Sequence, residues 1–282
     1  MKTTEINLTQ REEAKLYVSL VKKILLEFQE LPKMYEEIAI LVAYKQQYQN
    51  GNVNIAVSKF LGVSRDAIHT KMDDKPAHCT SMGEKGCIQI VIDVFETCPP
   101  WKQAFVIRHE ICHLLHRPSY SATLELLCNK YSRDWLANLV GYRRDYQVHQ
   151  CMIKRYLDDW LREPLGISKG AISPRSFYRR QRKMKGSRHA IFIGISNSVN
   201  VLRIIYLHEY LLKVPQVPNQ LKKNFEQNLK RYNGYLDSWW RCLQKDIESK
   251  LPTPRELLKR THFEDEETFF SQISQLLTTA GV

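Results

Sequence analysis

The 282-residue sequence predicts an α+β fold that is mostly helical, with a small sheet of about three strands packed on one central helix and a helical C-terminal domain. Three observations predict it. Two strand-like runs, "AHCTSM" at 77–82 and "CIQIVIDVF" at 87–95, are joined by "GEKG", whose glycines suit a hairpin turn. A helical pattern then runs from Trp101 to Arg117, bounded by Pro99 and Pro100 before it and Pro118 after it. Beyond Tyr142, "QCMIKRYLDDWL", "VLRIIYLHEYLL", "NLKRYNGYLDSWWRCL" and "EETFFSQISQLL" are mostly helical in character.

In chain order, residues 10–49 place Leu16, Leu20, Ile24 and Phe28, then Ile38, Leu41 and Val42, at helical spacing around Pro32, which predicts two helices. "VSKFLGVSRDAIHTKM" at 57–72 has two readings. In one it is a helix-turn-helix that buries Val57, Leu61, Val63 and Ile68, turns at Gly62 and presents Arg65, His69 and Lys71 to DNA. In the other, Gly62 ends a helix and 66–72 is a strand of the sheet. The run from 87 alternates Ile88, Ile90 and Ile92 with Gln89, Val91 and Asp93, as a strand with one face more buried does. A second helix is expected from about Ser121 to Val140, with Leu124, Leu127, Tyr131, Trp135 and Leu139 on one side. The organisation expected is N-terminal helices over 1–55, a core over 56–145 and a mostly helical C-terminal domain over 146–282.

With 43% hydrophobic and 26% charged residues the chain reads as soluble and globular. Its N-terminus lacks the apolar core of a signal peptide, and "AIFIGI" at 190–195 is too short to cross a bilayer, so the expectation is the cytoplasm and no membrane. Seven cysteines with no CxxC pair read as reduced thiols, most of them small buried apolar residues. A net charge of +12 points to an anionic partner, DNA or another nucleic acid first. The charge clusters in "RSFYRRQRKMKGSRH", where Arg175, Arg179, Arg180, Arg182, Lys183, Lys185 and Arg188 are met by no acid. The plainer reading of that tract is a solvated face or loop.

The chemistry-bearing stretch is "RHEICHLLH" at 108–116. Positions i and i+4 share one helical face, so His109 and His113 can close on one ion with Glu110 beside it. Zinc held by two imidazoles and a third protein group keeps a position for water, and Glu110 would take the proton as general base. The competing reading is a pair of surface histidines. His116 is seven residues from His109, roughly 10 Å of rise, and poorly placed as third ligand. Glu125 is better placed: it follows the turn at 118–120 by about the rise that His113 precedes it, if the two helices are antiparallel.

These motifs resemble the ImmA/IrrE-type zinc metallopeptidases, which show an I-x-I strand, an H-E-L-G-H helix and E-x-x-A-N-x-F-A on the next helix. The chain reads "IQIVID", "RHEICH" and "ELLCNKYS", a likeness covering about residues 60–140. It implies a zincin-like core with His109, His113 and Glu125 as zinc ligands and Glu110 as catalytic base. It also implies that a protein or peptide substrate adds to the edge of the strand carrying Ile88, Ile90 and Ile92. Departures are Cys112 for the usual glycine, a shorter gap before Glu125, and "LANLVGY" in place of a closing Leu-Leu-Met-Pro. A likeness to peptide deformylase, with Cys87 as metal ligand, fails because Cys87 lies too close to His109 for that family's spacing. The alternative function is a non-catalytic DNA- or partner-binding regulator with a structural or sensory zinc core. The group stabilising the oxyanion is open among Tyr120, Tyr131 and His116, the last two also being possible supports of the metal site.

Overall fold

A computed structural model gives the structure of the chain and describes residues 1–12, 14–65, 75–117, 121–131, 133–162, 188–246 and 252–281. It divides into two compact units, Met1–Arg117 with Cys151–Arg162, and Pro118–Gln150 with Glu163–Val282. The α+β, mostly helical class expected from the sequence is the class observed. The N-terminal 55 residues are no separate layer, because they supply two strands to the sheet of the first unit.

Among the described residues that sheet has four strands, against the about three expected. They are β1 (Lys2–Asn7), β2 (Glu37–Ala43), β3 (Ala77–Met82) and β4 (Lys85–Val91), in the order β1-β2-β4-β3. β1, β2 and β4 run parallel, and β3 is antiparallel to β4 across the hairpin at Gly83. The second expected N-terminal helix is therefore β2. "EIAILVA" is buried at six of its seven positions, as a parallel strand covered on both faces requires, and such an unbroken apolar run also fits helical spacing. Only the first helix stands, as α1 (Ala14–Leu25). Short helices α2 (Leu31–Met34) and α3 (Lys45–Gln49) flank β2.

The helix α4 (Asn52–Leu61) ends at Gly62, whose φ of 74° is the left-handed cap that glycine adopts without strain. Val53, Val57 and Leu61 pack with Ala39, Leu41, Ala43, Cys87 and Val91, so the buried face of α4 belongs to the sheet. Residues 66–72, which would carry a recognition helix or a strand, lie outside the described residues. β4 ends at Val91, and 92–95 form a helical turn, α5 (Ile92–Phe95), in place of the last strand residues expected. The other sheet face carries Ile38, Ile40, Val42, Ile88 and Ile90 by alternation, and α1 and α6 (Pro100–Leu115) pack there.

The expected helix 121–140 is two. α7 (Ala122–Lys130) stops where Tyr131 turns extended, and α8 (Arg133–Arg155) follows. The last residues of α8 and all of α9 (Leu157–Arg162) belong to the first unit. In the second unit α10 (Arg188–Leu212) packs along α11 (Asn219–Asp246), followed by α12 (Pro254–Leu257) and α13 (Glu266–Thr279). Phe263, Phe269 and Phe270 form edge-on ring contacts there, and Arg143 pairs with Glu266 at 2.9 Å with both side chains buried. One segment, Ile191–Leu212, is long and apolar enough to cross a membrane by composition, and 89% of its most apolar window is buried in the protein.

Candidate metal centre

The motif helix α6 begins as its sequence directs. Pro100 occupies a first-turn position, where a missing N–H costs nothing, and Pro99 is extended. Five contacts within the first unit then fix its position. Arg108 makes a bidentate pair with Glu27, both N–H···O distances being 3.0 Å, and donates to Asp159 of α9 at 2.7 Å. Its guanidinium also lies over the Tyr156 ring at 4.5 Å. Burial opposes the charge of Glu27, but hydrogen bonds from Arg108 and Tyr156 prevail and hold its carboxyl below the ordinary range. At the far end, the Tyr35 hydroxyl donates to the Leu114 carbonyl at 2.8 Å, and Arg117 donates to the Gly83 carbonyl at 2.6 Å. Ile88 and Ile90, fully buried, form the floor.

On this helix His109 and His113 turn their rings together. The Nε2 atoms are 3.2 Å apart and the rings meet edge to face, centroids 4.8 Å apart. Phe105, one turn earlier, stacks on His109 at 6.4 Å. Glu110 is 8% exposed, and one ligand atom from each of His109, Glu110 and His113 lies within 4.8 Å of the others. Two nitrogens bound to zinc at about 2.0–2.1 Å with a tetrahedral angle stand about 3.3 Å apart. The observed spacing fits that ion; one N–H···N hydrogen bond would also span it.

The other expected site residues fall as follows. Glu125 is exposed in the first turn of α7, in the second unit, and is not among the three clustered groups. His116 caps α6 through its backbone N–H and is not among the three clustered groups; it is one of the lesser influences lowering the Cys151 thiol. Tyr131 meets the rings of Trp135 and Phe192 at 6.1 and 5.5 Å within the second unit. Tyr120 and the basic positions Arg175, Arg179, Arg180, Arg182, Lys183 and Lys185 lie outside the described residues, while Arg188 begins α10.

The expectation that Ile88, Ile90 and Ile92 offer an edge to substrate is corrected. β4 is paired on both sides, Ile92 has left the strand, and the Ile88 and Ile90 side chains form the floor under α6. The outer strand beside α6 is β3. The Val91 N–H bonds the Pro76 carbonyl at 3.0 Å, which sets the ladder so that Ala77, Cys79 and Ser81 turn their peptide groups away from β4. Cys87 sits in the apolar cluster with α4, on the sheet face away from α6, and burial pushes its thiol up to about 12. It has the surroundings of a packing residue, not of a ligand.

Sequence reasoning missed a sulfur pair that joins this helix to α8. Cys112 Sγ lies 3.3 Å from Cys151 Sγ and 3.6 Å from Met152 Sδ. The hydrogen bond from Cys112 is the main influence lowering the Cys151 thiol; burial works against it, and His116 and Arg155 assist. No sequence signal marks the pair, since 39 residues separate its members. Compared with known proteins, the chain matches no protein-family model, no curated protein and no solved structure.

Proposed function

We propose that the protein is a zinc-dependent peptidase that hydrolyses a peptide bond in a protein substrate, with a regulatory role. The observation that carries this reading is the 3.2 Å approach of His109 and His113 Nε2 beside the buried Glu110, a donor set of the size and chemistry zinc takes. Bound there, zinc would supply Lewis acidity and bring the pKa of a water to about 7. Glu110, adjacent to His109 on the helix, accepts the proton of the attacking water and passes it to the leaving amine. Arg108, Tyr35 and the isoleucine floor hold the imidazoles in register, so little reorganisation is needed when the ion enters. Glu125 is the third protein ligand on the strength of its sequence position. His116 is not, because it stands roughly 10 Å of helical rise from His109.

An extended substrate segment pairs with the outward peptide groups of Ala77, Cys79 and Ser81 on β3, gaining affinity from main-chain hydrogen bonds and little sequence preference. The compartment this reading assigns is the cytoplasm, where thiols without CxxC pairs stay reduced.

The test is zinc content together with cleavage of an unfolded protein such as casein. Wild type is expected to hold about one zinc per chain. His109→Ala, His113→Ala and Glu125→Ala lose it, while Glu110→Gln keeps the metal and drops turnover by about 10²–10⁴-fold. A zinc-loaded Glu110→Gln protein with undiminished cleavage would remove the peptidase reading. Zinc held with no cleavage by wild type would favour the regulator.

A further inference from the structure

The sulfur pair between α6 and the end of α8 is not used by the proposed hydrolysis. Cys112 lies between the two imidazoles in sequence and is fully buried, whereas Cys151, in the last residues of α8, is partly exposed. Their sulfurs are 3.3 Å apart within one compact unit. A disulfide needs its sulfurs at about 2.05 Å, so closure asks for little more than 1 Å of approach from side chains already facing each other.

We infer that Cys112 and Cys151 form a dithiol oxidised by hydroperoxides to an intrachain disulfide, with Cys151 as the attacking sulfur and Cys112 as the resolving one. The hydrogen bond from Cys112 above all, with His116 and Arg155 assisting, favours the thiolate at Cys151 against its burial, and the thiolate is the form that reacts. In the first step the Cys151 thiolate attacks the terminal oxygen of R–O–OH. The S–O bond forms, the O–O bond breaks, and the leaving alkoxide takes a proton from water. Cys112 sulfur then attacks the sulfenic sulfur: the S–S bond forms, the S–O bond breaks, and hydroxide leaves as water with the Cys112 proton. Two thiols give up two electrons and one hydroperoxide becomes an alcohol and water. The product ties α6 to the end of α8 by a covalent bond in the same turn as His113.

The test uses the full chain, reduced, stripped of reductant and exposed to a slight excess of hydrogen peroxide. Free thiols should fall by two from the seven of the sequence. Non-reducing peptide mapping should show the Cys112 and Cys151 peptides joined and two hydrogens lighter. Fragmentation must assign the link, because Pro118 hinders tryptic cleavage after Arg117 and leaves Cys128 on the Cys112 peptide. In Cys112→Ser the Cys151 sulfenic acid should persist and be trapped by dimedone. In Cys151→Ala, Cys112 should stay alkylatable after peroxide, with its oxidation slowed at least about tenfold. Seven thiols surviving in wild type, a link to any other cysteine, or Cys112 oxidised equally fast in Cys151→Ala would each overturn the inference. None of these readouts depends on bound metal, so a failure of the zinc reading leaves them interpretable.

Discussion

Two regions of the molecule hold histidine in opposite ways. In the second unit, His208 is 3% exposed, its Nδ1 lies 2.8 Å from the Ile204 carbonyl of its own helix, and the rings of Phe225 and Tyr232 close on it. Burial lowers its pKa and keeps it neutral. In the first unit, His109 and His113 bring Nε2 to Nε2 at 3.2 Å beside a carboxylate. The first histidine satisfies itself locally and fills a core; the other two converge on a point that belongs to neither. Residue type alone therefore says little, and the direction of the ring nitrogens says most.

The strongest way to break this contrast is to remove one ring from each region. His109→Ala should weaken zinc binding by more than about a hundredfold, since even outer partners of metal ligands are worth 10–100-fold. His208→Ala should leave zinc stoichiometry unchanged and cost about 2–4 kcal/mol of stability through the cavity it opens; calorimetry and metal analysis on the same samples decide both. Zinc lost equally in the two variants would erase the distinction.

A smaller effect sharpens it through pH. The unfolded chain protonates His208 near the ordinary value of 6.5, and the folded chain resists. The unfolded state then binds the extra proton, so the contribution is fully present above about pH 6.5 and falls as the pH drops below it, by at most about 1.4 kcal/mol per unit. Denaturant midpoints of wild type and His208→Gln between pH 5 and 7 should show the slope in wild type and less of it in the variant. The smallest effect belongs to Glu27, whose lowered pKa places its contribution above the ordinary 4.5 and removes it as the pH falls through the lowered value. Glu27→Gln should flatten the acid limb by about 1 kcal/mol and leave the neutral-pH zinc content intact; loss of zinc there would mean that Arg108 does more than anchor the helix.

The elements legible from sequence are those whose boundaries are chemical. α6 is enclosed by prolines, the hairpin by glycines, and α7 is opened by Ser121, whose hydroxyl accepts the Leu124 N–H at 3.0 Å. β2 was hidden because a strand buried on both faces has no alternation to read. The break at Tyr131 was hidden because apolar spacing continues through it. Of the candidate site, HExxH was readable because its two histidines lie one turn apart. The order of strands was not, so an open sheet edge is expected of β4, whereas β4 is internal and β3 is the outer strand. The Cys112–Cys151 contact is long-range and has no local pattern at all.

The first unit is assembled from two stretches of chain, with Cys151–Arg162 returning after the 33 residues that begin the second. That return brings Asp159, which takes the third side of Arg108, and Trp160, which is 1% exposed. During synthesis the motif helix leaves the ribosome well before these partners exist, and at about 5–20 residues per second the nascent unit waits some seconds for them. Until Arg162 has emerged the motif helix is held by Glu27, Tyr35 and the sheet alone, so the order of translation itself delays the completion of its anchorage.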